Sequence, residues 1–385
     1  GCVALIGPSC NSACESVAYM AKHWNMPLIA WGCGNDIFSD KTRFPTFSRT
    51  VSPVAILAPG IRNYILGNGW RNIIILSGNS ATTQALAYSF GQFMSTAMSV
   101  TTVFFEEGAT RERMAQPLQV IKDSRRRIVV YMQGNADIRN ILLQANEMGL
   151  MKGYVWMLAG VDNMPAGEGT EEEARAAFQG TLVMTPMPNR DATFDAFRAT
   201  LNATRCAMFG ATHGAAACAG TDELADTSAS MVFDAFFAYA VALAKTLAAG
   251  GSATDGRAIQ AQLTRQDADR VAFPGMSGVF VLTAEGDRVM SYDLVEFDFN
   301  GVLQNFGYYN SFTQLTTLFR NNTFPGNTTT VPLDLQHCPA GTHLDEASGT
   351  CVACATGLYS TGQPNTTECT PCDPGTFAST VATTE

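Results

Sequence analysis

Between residues 72 and 158 short apolar runs alternate with amphipathic stretches, and this alternation constrains the fold more than any motif in the chain. Strands are expected at 72–76, 100–105, 128–132 and 154–158, with helices at 82–98, 111–122 and 137–148 between them. Strands of this kind form a parallel sheet covered by helices on both faces. Loops that follow parallel strands share one edge, where open α/β sheets hold their ligands. Here those loops are Ser77-Gly78-Asn79, Gln133-Gly134-Asn135 and Gly160-Val161-Asp162. Each residue type is also an ordinary turn former. As a set, Ser77, Asn79, Gln133, Asn135 and Asp162 are candidate binding residues.

The chain opens on a smaller unit of the same kind. An apolar run at 3–6 meets Gly7-Pro8, polar Ser9, Asn11 and Ser12 follow, and Val17, Met20 and Trp24 recur at helical spacing. Pro27 starts a second run at 28–30 that stops at Trp31-Gly32-Cys33-Gly34. The unit reads as β-α-β, and its first loop feeds a helix N-terminus able to hold an anionic or carbonyl group.

The remaining elements follow local signals. Residues 36–50 are a connection, and Ser52-Pro53 predicts an N-cap with proline at the first helical position of a helix reaching residue 67. Thr170 caps a helix ahead of Glu171, Glu172 and Glu173; a strand at 180–187 and a helix carrying Phe194, Phe197 and Leu201 come next. Helices are expected at 231–249 and 256–263. The first is about as long as a bilayer span, but Asp234 and Lys245 mark it as a core helix. Residues 273–299 read as an edge hairpin joined by a Glu285-Gly286-Asp287 turn.

A formal net charge of -10 argues against a nucleic-acid partner. The dense basic run Arg125-Arg126-Arg127 leads into apolar 128–130 and reads as a solvated strand edge. Eleven cysteines, and sequons at Asn202, Asn321, Asn327 and Asn365, fit an oxidising, extracellular compartment with N-linked glycans. Cys206 and Cys218 bracket a Gly/Ala-rich loop and are expected to pair locally.

Periodicity ends after 320, so three parts are expected: a ligand-binding region at 1–320, a linker at 321–333 and a cysteine-rich stalk at 334–385. In the stalk Cys338, Cys351, Cys354, Cys369 and Cys372 are assigned to disulfides of open connectivity, with a zinc site using His337 and His343 as the competing reading. The first lobe is short of an opening strand and helix and the last repeat stops unfinished, so the chain reads as part of a longer one whose membrane attachment lies downstream.

An enzyme is not expected. His23, His213, His337 and His343 are scattered, Val279 replaces the glycine a nucleophile elbow needs after Gly275-Met276-Ser277-Gly278, and Ala244 precedes Lys245-Thr246 where a phosphate loop has glycine.

The opening unit, Phe233-Asp234-Ala235 with Tyr239-Ala240, and Phe273-Pro274-Gly275 with Ser277-Gly278 ahead of Asp287 resemble the receptor ligand-binding region of the type I periplasmic-binding-protein superfamily. That region occurs in natriuretic-peptide-receptor-like guanylyl cyclases and class C G-protein-coupled receptors. The resemblance implies two α/β lobes joined by three crossovers, the first lobe truncated at its N-terminus, with a small-molecule or peptide ligand held between lobes or on their outer faces. It implies a homodimer at the cell surface. It places Ser9, Cys10, Trp31, Gly32 and Cys33 at the cleft, and a chloride ion at the Gly7–Cys10 turn. The tail, with CPAGT at 338–342, Cys351-Val352-Ala353-Cys354, Gly357-Leu358-Tyr359 and Thr370-Pro371-Cys372 before Pro374-Gly375-Thr376-Phe377, resembles ephrin-receptor and tumour-necrosis-factor-receptor repeats. Together these imply the extracellular sensor of a single-pass receptor, most readily a receptor guanylyl cyclase. A class C receptor sensing an amino acid and a soluble solute-binding protein for transport are the alternatives.

Overall fold

A computed structural model describes residues 2–133, 136–161, 163–187, 189, 191–213, 223–335, 338–345, 350–362, 366 and 368–376. Its small sheet contains β1 (Leu5–Ile6), β2 (Leu28–Ala30) and β3 (Phe47–Arg49), all parallel. One face carries α1 (Asn11–His23), through Cys14, Ala18 and Ala21 against Leu28, Ala30 and Phe47. Small residues let this helix lie close to the sheet, so the face expected from Val17, Met20 and Trp24 is corrected: Met20 and Trp24 are exposed.

The large sheet has eight strands. Parallel strands β4 (Asn72–Gly78), β5 (Ser99–Phe105), β6 (Ile128–Tyr131), β7 (Val155–Ala159) and β8 (Leu182–Pro186) are continued by antiparallel β11 (Tyr292–Phe297), β12 (Leu303–Asn310) and β13 (Leu315–Leu318), in the order β13-β12-β11-β8-β7-β6-β4-β5. Helices α2 (Val54–Gly67) and α3 (Ala81–Ser95) bury Ile61, Ile65, Phe90 and Met94 against Ile73, Ile75 and Val130 on one face. On the other, α4 (Ala115–Ser124), α5 (Ile138–Glu147) and α6 (Glu171–Phe178) cover Ile74, Leu76, Val129 and Trp156. Successive strand residues thus enter opposite cores, as a sheet covered twice requires, and each large buried side chain contributes about 1.5–3 kcal/mol. Thr170 forms the full capping box with Glu173. Pro53 itself, rather than Ser52, is the N-cap of α2, because the Ser52 hydroxyl donates to Arg288 O at 2.7 Å.

From β8 the chain returns to the small lobe through α7 (Ala192–His213), α8 (Glu223–Ala248) and α9 (Gly256–Leu263). By length and composition α8 could cross a membrane. Here Ala235, Ala238 and Ala242 pack with Ile29, Ile259 and Phe280, and Asp234 is fully buried in hydrogen bonds, so α8 is a helix of the lobe. The chain passes between lobes three times, at 50–53 between β3 and α2, between β8 and α7, and at 287–291 ahead of β11.

The edge hairpin read at 273–299 is corrected. The paired strands are β9 (Ala272–Gly275) and β10 (Gly278–Val281), turned at Met276-Ser277, while β11 lies inside the large sheet between β8 and β12. The Glu285-Gly286-Asp287 turn does form, closed by Thr283 N–H donating to Asp287 O at 2.9 Å, and it leads into the third crossover.

Residues 319–335, read by composition largely as linker, run as a strap over the large lobe. Phe324 is buried against Trp70, Trp70 Nε1 donates to Pro332 O at 2.7 Å, and the Asp334 carboxylate receives the Arg71 and Asn72 N–H groups at 2.6 and 2.9 Å. In the tail, β14 (Thr342–Asp345) pairs with β15 (Thr350–Ala353), and β16 (Leu358–Tyr359) with β17 (Thr370–Pro371). Bridges join Cys338 to Cys351 and Cys354 to Cys369. Cys372, expected in a bridge, is a free thiol because its four described neighbours pair among themselves. His343 Nδ1 lies 3.2 Å from Cys369 Sγ, but bridged sulfurs are not the thiolates that zinc requires. Cys218 and Asn365 lie outside the described residues, as do the side chains of Asn202 and Cys206 in α7.

Candidate functional site

The two loops of the small lobe touch. Cys33 N–H donates to Ser9 O at 3.2 Å, and a Cβ added at Gly32 would meet that carbonyl at 2.0 Å, so glycine is what lets the loops close. Asn11 Oδ1 accepts from Asn35 N–H at 3.1 Å, tying the start of α1 to the same corner. From beneath, the buried Arg49 guanidinium donates to Cys33 O and, at 2.8 Å, to Asn35 O. These bonds turn the loop carbonyls inward.

What faces outward is a short list. Cys10 is an exposed free thiol at the N-cap of α1, where no side chain caps the helix. Ser9 is half-buried with its hydroxyl 3.6 Å from Cys10 Sγ, and Trp31 is half-buried against the core of the large lobe. In the Gly7–Cys10 turn the Gly7 N–H is bonded to Ile29 O at 2.9 Å and Pro8 has none, which leaves Ser9 and Cys10 to supply backbone donors. Cys33 does not serve as expected: its sulfur is buried in a bridge to Cys14.

On the large lobe, loops at the C-terminal edge of the parallel strands converge. Gln133 Oε1 accepts from Gly78 N–H, and its Nε2 donates to Glu107 Oε1 at 3.3 Å. The same carboxylate oxygen accepts from Thr83 Oγ1 at 2.6 Å and Ser80 N–H at 3.3 Å. Burial raises the Glu107 pKa, but the hydrogen bonds from Thr83, Ser80 and Gln133 outweigh it and hold the carboxyl below its usual range. Asn79 is exposed beside this cluster. Ser77 is corrected as a binding residue: it is 4% exposed and its hydroxyl donates to Thr83 O at 3.1 Å. Asn135 and Asp162 lie outside the described residues.

Glu107 enters this cluster from the loop after β5, and its sequence signal is Glu106-Glu107-Gly108 directly after an apolar strand. A groove of about 360 Å³ lies elsewhere, along the outer edge of β5, lined by Thr101, Phe104, Arg113 and Val120.

The geometry offers hydroxyl, thiol, indole and helix-end groups on one lobe and a hydrogen-bonded carboxylate on the other, which are means of holding a ligand. Residues 1–300 match the model of the receptor family ligand binding region. The chain is 24% identical over 345 residues to the receptor-type guanylate cyclase gcy-13 of Caenorhabditis elegans, covering 79% of this chain and 32% of that protein. It is 26% identical over 334 residues to gamma-aminobutyric acid type B receptor subunit 1 of Mus musculus, covering 80% and 33%. Atrial natriuretic peptide receptor 3 of Bos taurus is 21% identical over 310 residues, covering 76% and 54%. The chain therefore spans about a third of the first two relatives. The matched region binds ligand and is not catalytic, and its α/β architecture is the one found here: the chain belongs to the receptor family ligand-binding region.

Proposed function

We propose that this chain is the extracellular sensor of a single-pass membrane receptor at the cell surface, and that the parent protein is a receptor guanylyl cyclase. The observation that carries the reading is the family match over residues 1–300, together with the similarity to a receptor-type guanylate cyclase, on a chain that crosses between lobes three times. A small-molecule or peptide ligand bound by Ser9, Cys10, Asn11, Trp31 and Gly32 on one lobe and Asn79, Gln133 and Glu107 on the other favours the arrangement of lobes it fits best, and shifts the equilibrium by its differential affinity. Homodimerisation belongs to the same reading and is tested by the mass of the chain in solution.

The coding sequence beyond Glu385 tests the parent. One apolar span of about twenty residues followed by a cyclase domain supports the reading. Seven spans would favour the second reading, a class C receptor ectodomain, which has its own support in the similarity to gamma-aminobutyric acid type B receptor subunit 1. For the site, a Ser9→Ala, Trp31→Ala double variant is expected to lose ligand affinity about tenfold or more, the loss of one or two good contacts. Unchanged affinity would remove these loops from the site.

A further inference from the structure

Residues 311–319, SFTQLTTLF, carry neither a charge nor a proline. They run into β13, which bonds β12 on one side and leaves the other as the outer edge of the large sheet. Phe312, Leu315, Leu318 and Phe319 are 50%, 64%, 50% and 62% exposed. An uncharged, β-prone, apolar edge is a template for pairing with another chain, and folded proteins charge such edges or cover them. Lysine and proline, two usual devices, are absent from this strand.

The strap that leaves β13 shows what is placed beside it. Arg320 NH1 turns back to Glu296 Oε1 at 2.6 Å. Asn322 is buried, its Oδ1 accepting from the Tyr64 hydroxyl at 2.8 Å, and Thr323 N–H donates to the Glu296 carboxylate. Between these inward anchors Asn321 is exposed, and Asn321-Asn322-Thr323 is an N-glycan acceptor triplet. We propose that Asn321 carries an N-linked glycan that lies over the open edge of β13 and keeps this edge from pairing with a second chain. In the transfer, Asn321 Nδ2 bonds to the anomeric carbon of an oligosaccharide held on a polyprenyl diphosphate. The carbon–oxygen bond to the diphosphate breaks, the amide nitrogen gives up one proton, the lipid diphosphate leaves, and nothing is oxidised or reduced. The inference rests on the extracellular part of the function proposed above.

The test secretes the chain from a eukaryotic cell behind an added signal sequence, alongside Asn321→Gln and Thr323→Ala, the second of which keeps the asparagine and removes the triplet. Peptide mass spectrometry is expected to find the glycan on Asn321 of the parent and neither variant to carry it. Light scattering is expected to report an average mass about twofold or more above the parent for both variants, as an uncovered edge recruits further chains. Adding Leu315→Lys and Leu318→Lys to Asn321→Gln is expected to restore the parent's mass by charging the edge. Where a variant does not fold, enzymatic trimming of the glycan from the folded parent gives the same readout. A secreted, folded parent with bare Asn321, or an uncovered edge that associates no more than the parent, overturns the inference. Because the added signal dictates secretion, either result leaves the receptor reading standing; that reading fails on ligand binding or on the coding sequence instead.

Discussion

Arg49 Nε donates to Asp287 Oδ1 at 2.7 Å, joining the end of β3 to the start of the third crossover across 238 positions of sequence, with the arginine side chain fully buried and the aspartate nearly so. Ser39 completes the arrangement, its hydroxyl accepting from Arg49 NH2 and donating to Asp287 Oδ2, both at 2.7 Å. Two of the three connections between lobes are held together by this cluster, next to the loops that carry Cys33 and Asn35.

Removing one member of a buried pair leaves a charge without its counter-ion. Asp287→Ala and Arg49→Met are therefore each expected to lower unfolding stability by about 3–5 kcal/mol, and the double variant by much less than the sum. Urea unfolding of the four proteins measures this. Additivity within about 0.5 kcal/mol would mean that the two residues act independently.

Lys41 lies beside the same cluster, with Nζ donating to Phe47 O at 2.7 Å and Phe38 O at 3.3 Å. Burial pushes its ammonium down from 10.5 to about 8, against the attraction of Asp287, Glu285 and Asp40 and with the repulsion of Arg49. Between these two values the unfolded chain holds more protons than the folded one, so the stability owed to this group rises with pH. Lys41→Met lacks the titration. The parent is expected to gain about 2–3 kcal/mol on this variant as pH climbs from about 8 to 10.5. Denaturant unfolding of both proteins across the window checks it, and parallel pH profiles would refute it.

Cys14 and Cys33 close a loop of separation 19 that fastens α1 to the end of β2. Chain-entropy reasoning gives such a bridge about 3 kcal/mol. Changing both cysteines to alanine is expected to lower the thermal midpoint and to speed amide exchange in α1 more than in β4 or β6, since the large lobe has its own cores. Equal acceleration in both lobes would mean that the bridge stabilises the whole molecule rather than the small lobe.

What the sequence disclosed and what it withheld divide along physical lines. The alternation of Ile73 and Ile75 toward one core with Ile74 and Leu76 toward the other is local, and the strand that holds them was readable from its apolar run. The turn at Met276-Ser277 was not readable. Its stabiliser is the Asp234 carboxylate, which accepts the two N–H groups at 2.7 and 3.0 Å from a helix 42 and 43 positions earlier, in place of an Asn-Gly signal. At the site, Ser9, Trp31 and Gln133 stand at strand ends as their position after apolar runs implied. The fate of Ser77 and Cys33 depended on partners, Thr83 O and Cys14, that only packing identifies.

Gly32 offers the sharpest separation of site from scaffold. Its missing Cβ is what allows the Ser9 carbonyl to approach and accept from Cys33 N–H, so Gly32→Ala must push the first loop away from the second. The displacement falls on Ser9 and Cys10, which face outward, while the hydrophobic cores of the large lobe are untouched. Gly32→Ala is expected to cost about 1–3 kcal/mol in stability, the usual penalty of an overpacked contact, and to weaken ligand binding about tenfold or more through the moved loop. The comparison variant is Gly69→Ala, at a positive-φ glycine with open space around its Cβ, which carries backbone strain without contact near the loops. If Gly69→Ala reduces affinity as much as Gly32→Ala does, the loss follows general destabilisation; if affinity falls only with Gly32→Ala, the contact between the two loops sets the geometry of the site.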